Sequence, residues 1–203
     1  MRRLKGCAAA GLLWTLSVCA AGCGAGTDVS KFTENTVAVN KDGSITELAV
    51  ESFGEDYYSQ DALEAYVNAQ VEAYNREHPA DSGKEKDKTI TVDEISVKDD
   101  SARVVLTYET AQDYADFNYT QLELVEASDI SGDAAGLSFK DTQGSETGSL
   151  SAIPDIADYE AVITYTAHNI AVPGKIAYVS SNVTLLDRSS AQSDGTLSVV
   201  LYR

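Results

Sequence analysis

The chain has 203 residues and carries 32 acidic against 15 basic side chains, a formal net charge of −17 at neutral pH. A surface with this excess of carboxylates repels the phosphates of nucleic acids and of anionic lipids. Nucleic acid is therefore not expected as a partner, and charge alone would not hold the chain on a membrane. The length is sufficient for one ordinary hydrophobic core.

The first 22 residues have the three-part pattern of an export signal. Three basic side chains within the first five residues precede an apolar run over residues 7–21. This run is short for a helix that spans a bilayer, which needs about 20 residues. The sequence thus predicts a signal peptide over residues 1–22.

Three small residues stand directly before Cys23, namely Ala20, Ala21 and Gly22. This run resembles the lipobox of bacterial lipoproteins, although Ala20 stands where leucine is more usual. The resemblance implies that the Cys23 thiol is acylated, that residues 1–22 are removed, and that the protein is anchored on the extracytoplasmic face of the cell membrane. An ordinary signal peptide cut near Ala21 or Gly22, or an uncleaved anchor, is the alternative.

Removal of the signal peptide changes the chemistry that remains available. It takes away three of the 15 basic residues, none of the acidic ones, and the cysteines Cys7 and Cys19. With Cys23 acylated, no free thiol remains for disulfides, a cysteine nucleophile or a thiolate metal site. Neither a cofactor nor a metal is expected.

Residues 23–35 are interpreted as the lipidated cysteine and a short tether, and residues 36–203 as a single extracytoplasmic domain. A fully extended tether of this length reaches only about 40 Å, so the domain would stay close to the membrane. Asp42 and Gly43 supply the turn of a predicted hairpin whose strands are Thr36–Val39 and Ser44 to about Phe53.

A long amphipathic helix is predicted over Ser59–His78, with Ser59 as its N-cap and Pro79 beyond its end. One face has apolar spacing and is expected to be buried. The residues of that face are Leu63, Tyr66, Val67, Gln70, Val71 and Tyr74.

A second hairpin is predicted from Ile90–Val97 and Ala102–Glu109, followed by a short helix over Ala111–Asn118. Asp113 and Asp116 share one face of that helix and are interpreted as solvated acids near its positive end rather than as a catalytic pair.

Residues 128–154, rich in Gly and Ser, are predicted to be a flexible insertion and the best candidate to cover a pocket. The remaining chain is β-rich. Its predicted strands are Gln121–Ala127, Tyr159–Thr166, Ile170–Val172, Lys175–Val179, Val183–Leu186 and Thr196–Leu201. The fold class that follows is α+β: a mostly antiparallel twisted sheet packed against one long helix (about 59–78), plus one short helix.

An enzymatic role is not expected. The chain has two histidines, His78 and His168, and none of the serine-hydrolase, zinc-protease or β-lactamase motifs. Eleven tyrosines provide rigid amphipathic surface that suits a ligand or a protein partner. The candidate ligand-binding residues are Tyr57, Tyr58, Tyr114, Tyr119, Tyr159 and Tyr178.

Three stretches, DGSITELAVESFGEDYY, DYADFN and VPGKIAYVSSNVTLLD, are similar to sequences of uncharacterised small lipoproteins exported by Gram-positive anaerobic bacteria. The resemblance implies an extracytoplasmic location and a single domain, and it carries no active-site residue across.

Two functions remain open. The favoured one is a non-enzymatic interaction or adaptor domain near the membrane, for which the negative charge suggests a cationic protein or peptide partner. The alternative is a receptor for a small molecule or glycan, with tyrosines lining a cleft under residues 128–154. A pocket of several hundred cubic ångströms with converging tyrosines and carboxylates would favour the receptor.

Overall fold

The computed structural model describes residues 27–80 and 88–203. These residues form two sheets with helices packed beside and outside them, which confirms the predicted α+β class. The expectation of a single sheet is wrong, because the strands divide between two layers that enclose a common core. Cys23 and the predicted signal peptide lie outside the described residues.

Sheet A has seven strands in the order β11-β12-β9-β1-β2-β4-β3. Their bounds are β1 (Thr36–Val39), β2 (Ile45–Ser52), β3 (Ile90–Lys98), β4 (Ser101–Tyr108), β9 (Asn169–Ala171), β11 (Thr184–Leu185) and β12 (Ser190–Gln192). Both predicted hairpins, β1–β2 and β3–β4, are present. Strands β1 and β9 pair in parallel and the other pairs are antiparallel, so sheet A is mixed.

Sheet B is antiparallel and has the order β5-β8-β13-β10-β6-β7. Its strands are β5 (Leu122–Glu126), β6 (Ser138–Asp141), β7 (Glu146–Ser149), β8 (Glu160–Thr164), β10 (Ile176–Ser180) and β13 (Ser198–Tyr202). The α-helices of the described residues are α1 (Gln60–Glu77), α2 (Ala111–Phe117) and α3 (Gly132–Ala135). Short 3-10 turns lie at Ala127–Asp129, Leu150–Ala152 and Ile156–Asp158.

The main core lies between the facing sides of the two sheets. Sheet A contributes Val37, Ile45 and Leu106, and sheet B contributes Val162 and Val200. Helices α1 and α2 enter the same core, through Val71 and Tyr114 respectively. Helix α1 packs beside β3, whereas α2 packs against β5 and β4. The helices therefore cover the part of the inner face of sheet A near β3 and β4.

Residues 27–35 pack on the domain, although they are part of the tether expected over residues 23–35; residues 23–26 lie outside the described residues. Val29 and Phe32 are buried on the outer face of sheet A. The Arg103 guanidinium donates to the carbonyls of Phe32 and Val29 at 2.9 and 3.1 Å. Two apolar side chains and a charged donor fix this segment, so Thr27 is already attached to the domain.

The expectation of a flexible insertion over residues 128–154 is also wrong. Strand β6 pairs with β10, and Phe139 is completely buried. Ile130 and Ile153 pack with it on the outer face of sheet B. The Asp141 carboxylate accepts from two backbone amides of the β6–β7 turn. This region covers sheet B on the side away from α1 and α2.

No helix within residues 27–80 and 88–203 is long and apolar enough to cross a membrane.

His168 is buried at the start of β9, and its Nε2 has no hydrogen-bond partner among the described residues. Burial lowers the pKa of the His168 imidazole to about 4. In the unfolded chain the imidazole titrates near 6.5, so below this pH the unfolded state binds a proton that the folded state does not. Stability should therefore fall as the pH drops from 6.5 to 4.

We expect this loss to be on the order of 3 kcal/mol and to disappear in His168→Gln, which cannot titrate. Urea unfolding at pH 7 and at pH 4.5 measures it. His78→Gln, at the exposed end of α1, is the control and should keep the acid dependence. An equal dependence on pH in the wild type and in His168→Gln would contradict the assignment.

Candidate ligand-binding cleft

A cleft of about 480 Å³ opens between α1 and α2. Val104 and Leu106 of β4 form its floor. Twelve described residues line it: Tyr66, Val67, Gln70, Ala73, Tyr74, Glu77, His78, Val104, Leu106, Asp116, Phe117 and Tyr119. The size is within the usual range for small-molecule sites.

The cleft exists because the apolar face of α1 is only partly covered. Val71 is the buried residue of this helix, Val67 and Tyr74 are half-buried, and Tyr66 and Gln70 are exposed. The prediction that Tyr66 and Gln70 are buried is therefore wrong. Helix α1 packs against β3 along one side. The side of α1 that carries Tyr66 and Gln70 and faces α2 is open to solvent.

The aromatic rings of the cleft hold one another in place. The Tyr74 ring stacks on His78 with centroids 4.3 Å apart, and it meets Phe117 edge to face at 5.5 Å. Tyr74 thus joins the walls formed by α1 and α2, because His78 follows α1 and Phe117 ends α2. Such pairs stabilise by about 0.5–1.5 kcal/mol beyond the area they bury, so these rings form a defined surface.

Tyr119 lies at the mouth of the cleft in an unusual conformation. Its backbone φ is +51°, in the left-handed region, and its side chain is 97% exposed. The Thr120 amide donates to the Ala115 carbonyl at 2.9 Å, which closes the end of α2 around this residue. Glycine is the usual residue at such a position. A tyrosine here strains the backbone and gains no burial.

The charged groups that line the cleft are acidic. Glu77 and Asp116 contribute carboxylates, and none of the described lining residues is Lys or Arg. The ion pairs within residues 27–80 and 88–203 are Lys31–Asp187 and Arg103–Glu94, so neither cleft carboxylate has a cationic partner there. The negative charge of the cleft is not neutralised by these residues.

Burial and nearby carboxylates raise the pKa of the Tyr74 hydroxyl. This hydroxyl donates to Asp113 Oδ1 at 3.2 Å. Burial raises the pKa of Tyr74 to about 12, with further contributions from the Asp113 charge and hydrogen bond and from the Asp116 charge. Asp113 also accepts from the Thr110 hydroxyl, whose oxygen caps the first turn of α2. Asp113 therefore orients Tyr74 and the first turn of α2.

A half-buried carboxyl lies beside the floor, on the same face of sheet A as Leu106. Glu47 of β2 pairs in register with Leu106 of β4. Its Oε2 accepts from the Tyr108 hydroxyl at 2.5 Å and from Asn118 Nδ2 at 3.3 Å. Burial raises the pKa of the Glu47 carboxyl, although these two hydrogen bonds oppose the rise. Asn118 links this group to Phe117 and Tyr119, its two neighbours in the chain.

The six tyrosines singled out from the sequence do not converge on one site. Tyr119 lines the cleft, and Tyr114 is buried beside it against Tyr108. Tyr57 and Tyr58 lie together before α1, where Tyr58 also stacks on Phe53.

Tyr159 and Tyr178 pack edge to face under residues 128–154, and Tyr159 is buried there. The small pocket of about 240 Å³ in that region is lined by no tyrosine. The expected cleft of tyrosines under this segment is therefore not formed.

Sequence reasoning missed Tyr66, Tyr74, His78 and Phe117 as site residues. The available signal was that two positions in the apolar stripe of α1 hold side chains with polar groups. Tyr66 and Gln70 tolerate water, whereas a fully buried helix would have aliphatic side chains at these positions.

A second groove, of about 710 Å³, lies at one open end of the two-sheet core. It is bordered by the β1–β2 turn and by Glu126, Glu160 and Arg203. Its lining mixes both signs of charge, including Lys41 and Asp42, and its one aromatic residue, Tyr202, is buried. It lacks the exposed rings of the α1–α2 cleft.

Within the described ranges no three His, Cys, Asp or Glu side chains are grouped so that they could hold a metal ion. Comparison of the chain with protein-family models, with curated proteins and with solved structures found no match.

The strain at Tyr119 yields a stability test. Tyr119→Gly should relieve the left-handed strain without losing packing, and we expect it to raise the free energy of unfolding by about 0.5–1 kcal/mol. Urea denaturation measures the change. Tyr119→Ala removes the same ring but keeps the strain, and it should leave the stability nearly unchanged. If both variants were destabilised equally, the ring would contribute packing and this description of the position would be wrong.

Proposed function

We propose that this protein is a lipid-anchored receptor domain that binds a small ligand in the α1–α2 cleft on the extracytoplasmic side of the cell membrane. The observation that carries the proposal is the convergence of Tyr66, Tyr74, Tyr119 and two carboxylates on one cleft of about 480 Å³. A closed core with a flat acidic surface would have favoured the adaptor. A cleft of this size with tyrosines and carboxylates supports the receptor alternative, although it lies between α1 and α2 and not under residues 128–154.

The composition of the cleft supports binding rather than catalysis. Its described lining contains no Ser, Thr, Cys or Lys that could act as a nucleophile. His78 stacks on the Tyr74 ring and is placed as part of the aromatic wall. Rigid rings with a few polar groups at the rim are typical of sites that hold a ligand without changing it.

The strain at Tyr119 also supports a binding role. An exposed tyrosine in a left-handed conformation does not stabilise the domain. Residues that reduce stability in this way cluster at functional sites. In a receptor, the Tyr119 ring is available to close over a bound ligand.

The proposed anchor would hold the domain close to the membrane. Thr27 is fixed to the domain: its amide donates to Asn40 Oδ1 at 2.7 Å and its hydroxyl to the Val39 carbonyl at 2.6 Å. If Cys23 is acylated, only three residues separate it from Thr27, a span of at most about 15 Å. The domain would sit at the membrane surface, where a ligand crossing the cell envelope could be captured.

A variant that fills the cleft tests the receptor proposal. Ala73→Trp places an indole in the lining, whereas Ala65→Trp places the same group on an exposed part of α1 that does not line the cleft. We expect at least one compound from a panel of amines, amino acids, short peptides and monosaccharides to raise the Tm of the wild type and of Ala65→Trp. The same compound should not raise the Tm of Ala73→Trp.

A ligand present at 100 times its Kd stabilises the folded state by about 2.7 kcal/mol, which a thermal-shift assay resolves. If no compound stabilised the wild type, or if Ala73→Trp responded as strongly as the wild type, the α1–α2 cleft would not be the binding site.

The anchor has its own test. Cys23→Ala should abolish incorporation of labelled palmitate and either release the protein from the membrane fraction or leave an unprocessed precursor. Attachment needs more than one acyl chain to be stable, so loss of the lipid should release the domain completely. An unmodified Cys23 inside a longer wild-type chain, found by mass spectrometry, would overturn the anchor but not the cleft.

A further inference from the structure

The α1–α2 cleft is lined by aromatic side chains from both helix ends. Tyr74 and His78 stack on one wall, Phe117 meets Tyr74 edge to face, and Tyr66 and Tyr119 remain 65% and 97% exposed at the mouth. Aromatic faces carry negative quadrupole charge and attract cations that lie within about 6 Å of the ring centroid. Several rings around one cavity are the arrangement that binds alkylammonium and guanidinium groups.

The formal charges of the cleft favour the same kind of ligand. Glu77 and Asp116 lie in its lining, and no described lining residue carries a Lys or Arg side chain. The Asp116 carboxylate accepts from Gln112 at 2.8 Å, a neutral donor that leaves its charge uncompensated. Burial is the main cause of the raised pKa of the Tyr74 phenol, and the Asp113 and Asp116 charges raise it further. An anionic ligand would be repelled by both carboxylates.

A neutral sugar fits these groups less well. The carboxylates and tyrosine hydroxyls of the described lining can hydrogen-bond to sugar hydroxyls, and Gln70 adds the one side-chain amide. The two carboxylates would lose hydration without gaining a counter-charge, which is unfavourable. A cation supplies the missing charge and uses the ring faces at the same time.

We propose that the group recognised by the α1–α2 cleft is an organic cation, an alkylammonium or guanidinium group carried by a small molecule. This inference rests on the proposed receptor function and names its ligand class. The rings of Tyr66, Tyr74, Phe117 and Tyr119 contact the cation, and Glu77 and Asp116 balance its charge. The apolar floor of Val104 and Leu106 accommodates the carbon skeleton of the ligand.

Isothermal titration calorimetry of the full chain in neutral detergent tests the inference with isosteric pairs. Choline is compared with 3,3-dimethylbutan-1-ol, in which carbon replaces the charged nitrogen. Nα-acetylarginine amide is compared with Nα-acetylcitrulline amide, and N-acetylglucosamine represents neutral sugars. The titrations are run at pH 8, where an ordinary imidazole is uncharged.

We expect at least one cation to bind, with its neutral partner about tenfold weaker or worse. Tyr119→Gly and Asp116→Asn should each weaken that cation by about threefold to tenfold. The matched controls Tyr57→Ala and Glu72→Gln alter an exposed ring and an exposed α1 carboxylate outside the cleft, and they should leave the affinity unchanged.

The possible failures are distinguishable. If a neutral partner bound as tightly as its cation, or if N-acetylglucosamine alone bound and Tyr119→Gly weakened it, the organic-cation assignment would be wrong while the receptor proposal stood. If a cation bound but the cleft variants and the controls behaved alike, the site would lie elsewhere and both proposals would fail. Absence of binding by every probe would overturn the cation assignment.

Discussion

The structure depends on how the inner face of sheet A is covered. This face is broader than the area that sheet B covers, and α1 and α2 cover the part near β3 and β4. Because the two helices pack on different strands, they leave a gap between them that a continuous layer of structure would not leave. The space left between them, above Val104 and Leu106, is the α1–α2 cleft. The site is therefore a consequence of the packing of the layers.

Two groups around the cleft lower the stability of the folded state. Tyr119 adopts a strained conformation without burial, and the half-buried Glu47 carboxyl forms no ion pair with a described residue. Both features lower the stability of the folded state at neutral pH, because strain and a desolvated carboxyl favour unfolding. The Glu47–Tyr108–Asn118 hydrogen bonds compensate in part, and they fix the end of α2 that positions Phe117 and Tyr119.

Local spacing was sufficient to predict α1, α2 and both hairpins of sheet A, because caps, turns and apolar periods are set by nearby residues. The division of the strands between two sheets was not predictable in this way, because it depends on pairs of strands that are far apart in the chain. Strand β1, for example, pairs with β9, which brings Thr36 opposite Asn169. The same limit applies to the site. The spacing of α1 indicates an apolar face but not which neighbour covers it, so Tyr66 and Gln70 were assigned to the core.

The most direct test of the cleft uses the full chain with ¹³C-labelled tyrosine rings and follows their NMR resonances during separate titrations with choline and with Nα-acetylarginine amide. We predict that Tyr66, Tyr74 and Tyr119 shift together with a single Kd in at least one of the two titrations. Among the tyrosines outside the cleft, Tyr57, Tyr58, Tyr159 and Tyr178 should not respond. Shifts confined to those four residues, or no shift of any tyrosine, in both titrations would contradict the assignment of the α1–α2 cleft as the site of an organic cation.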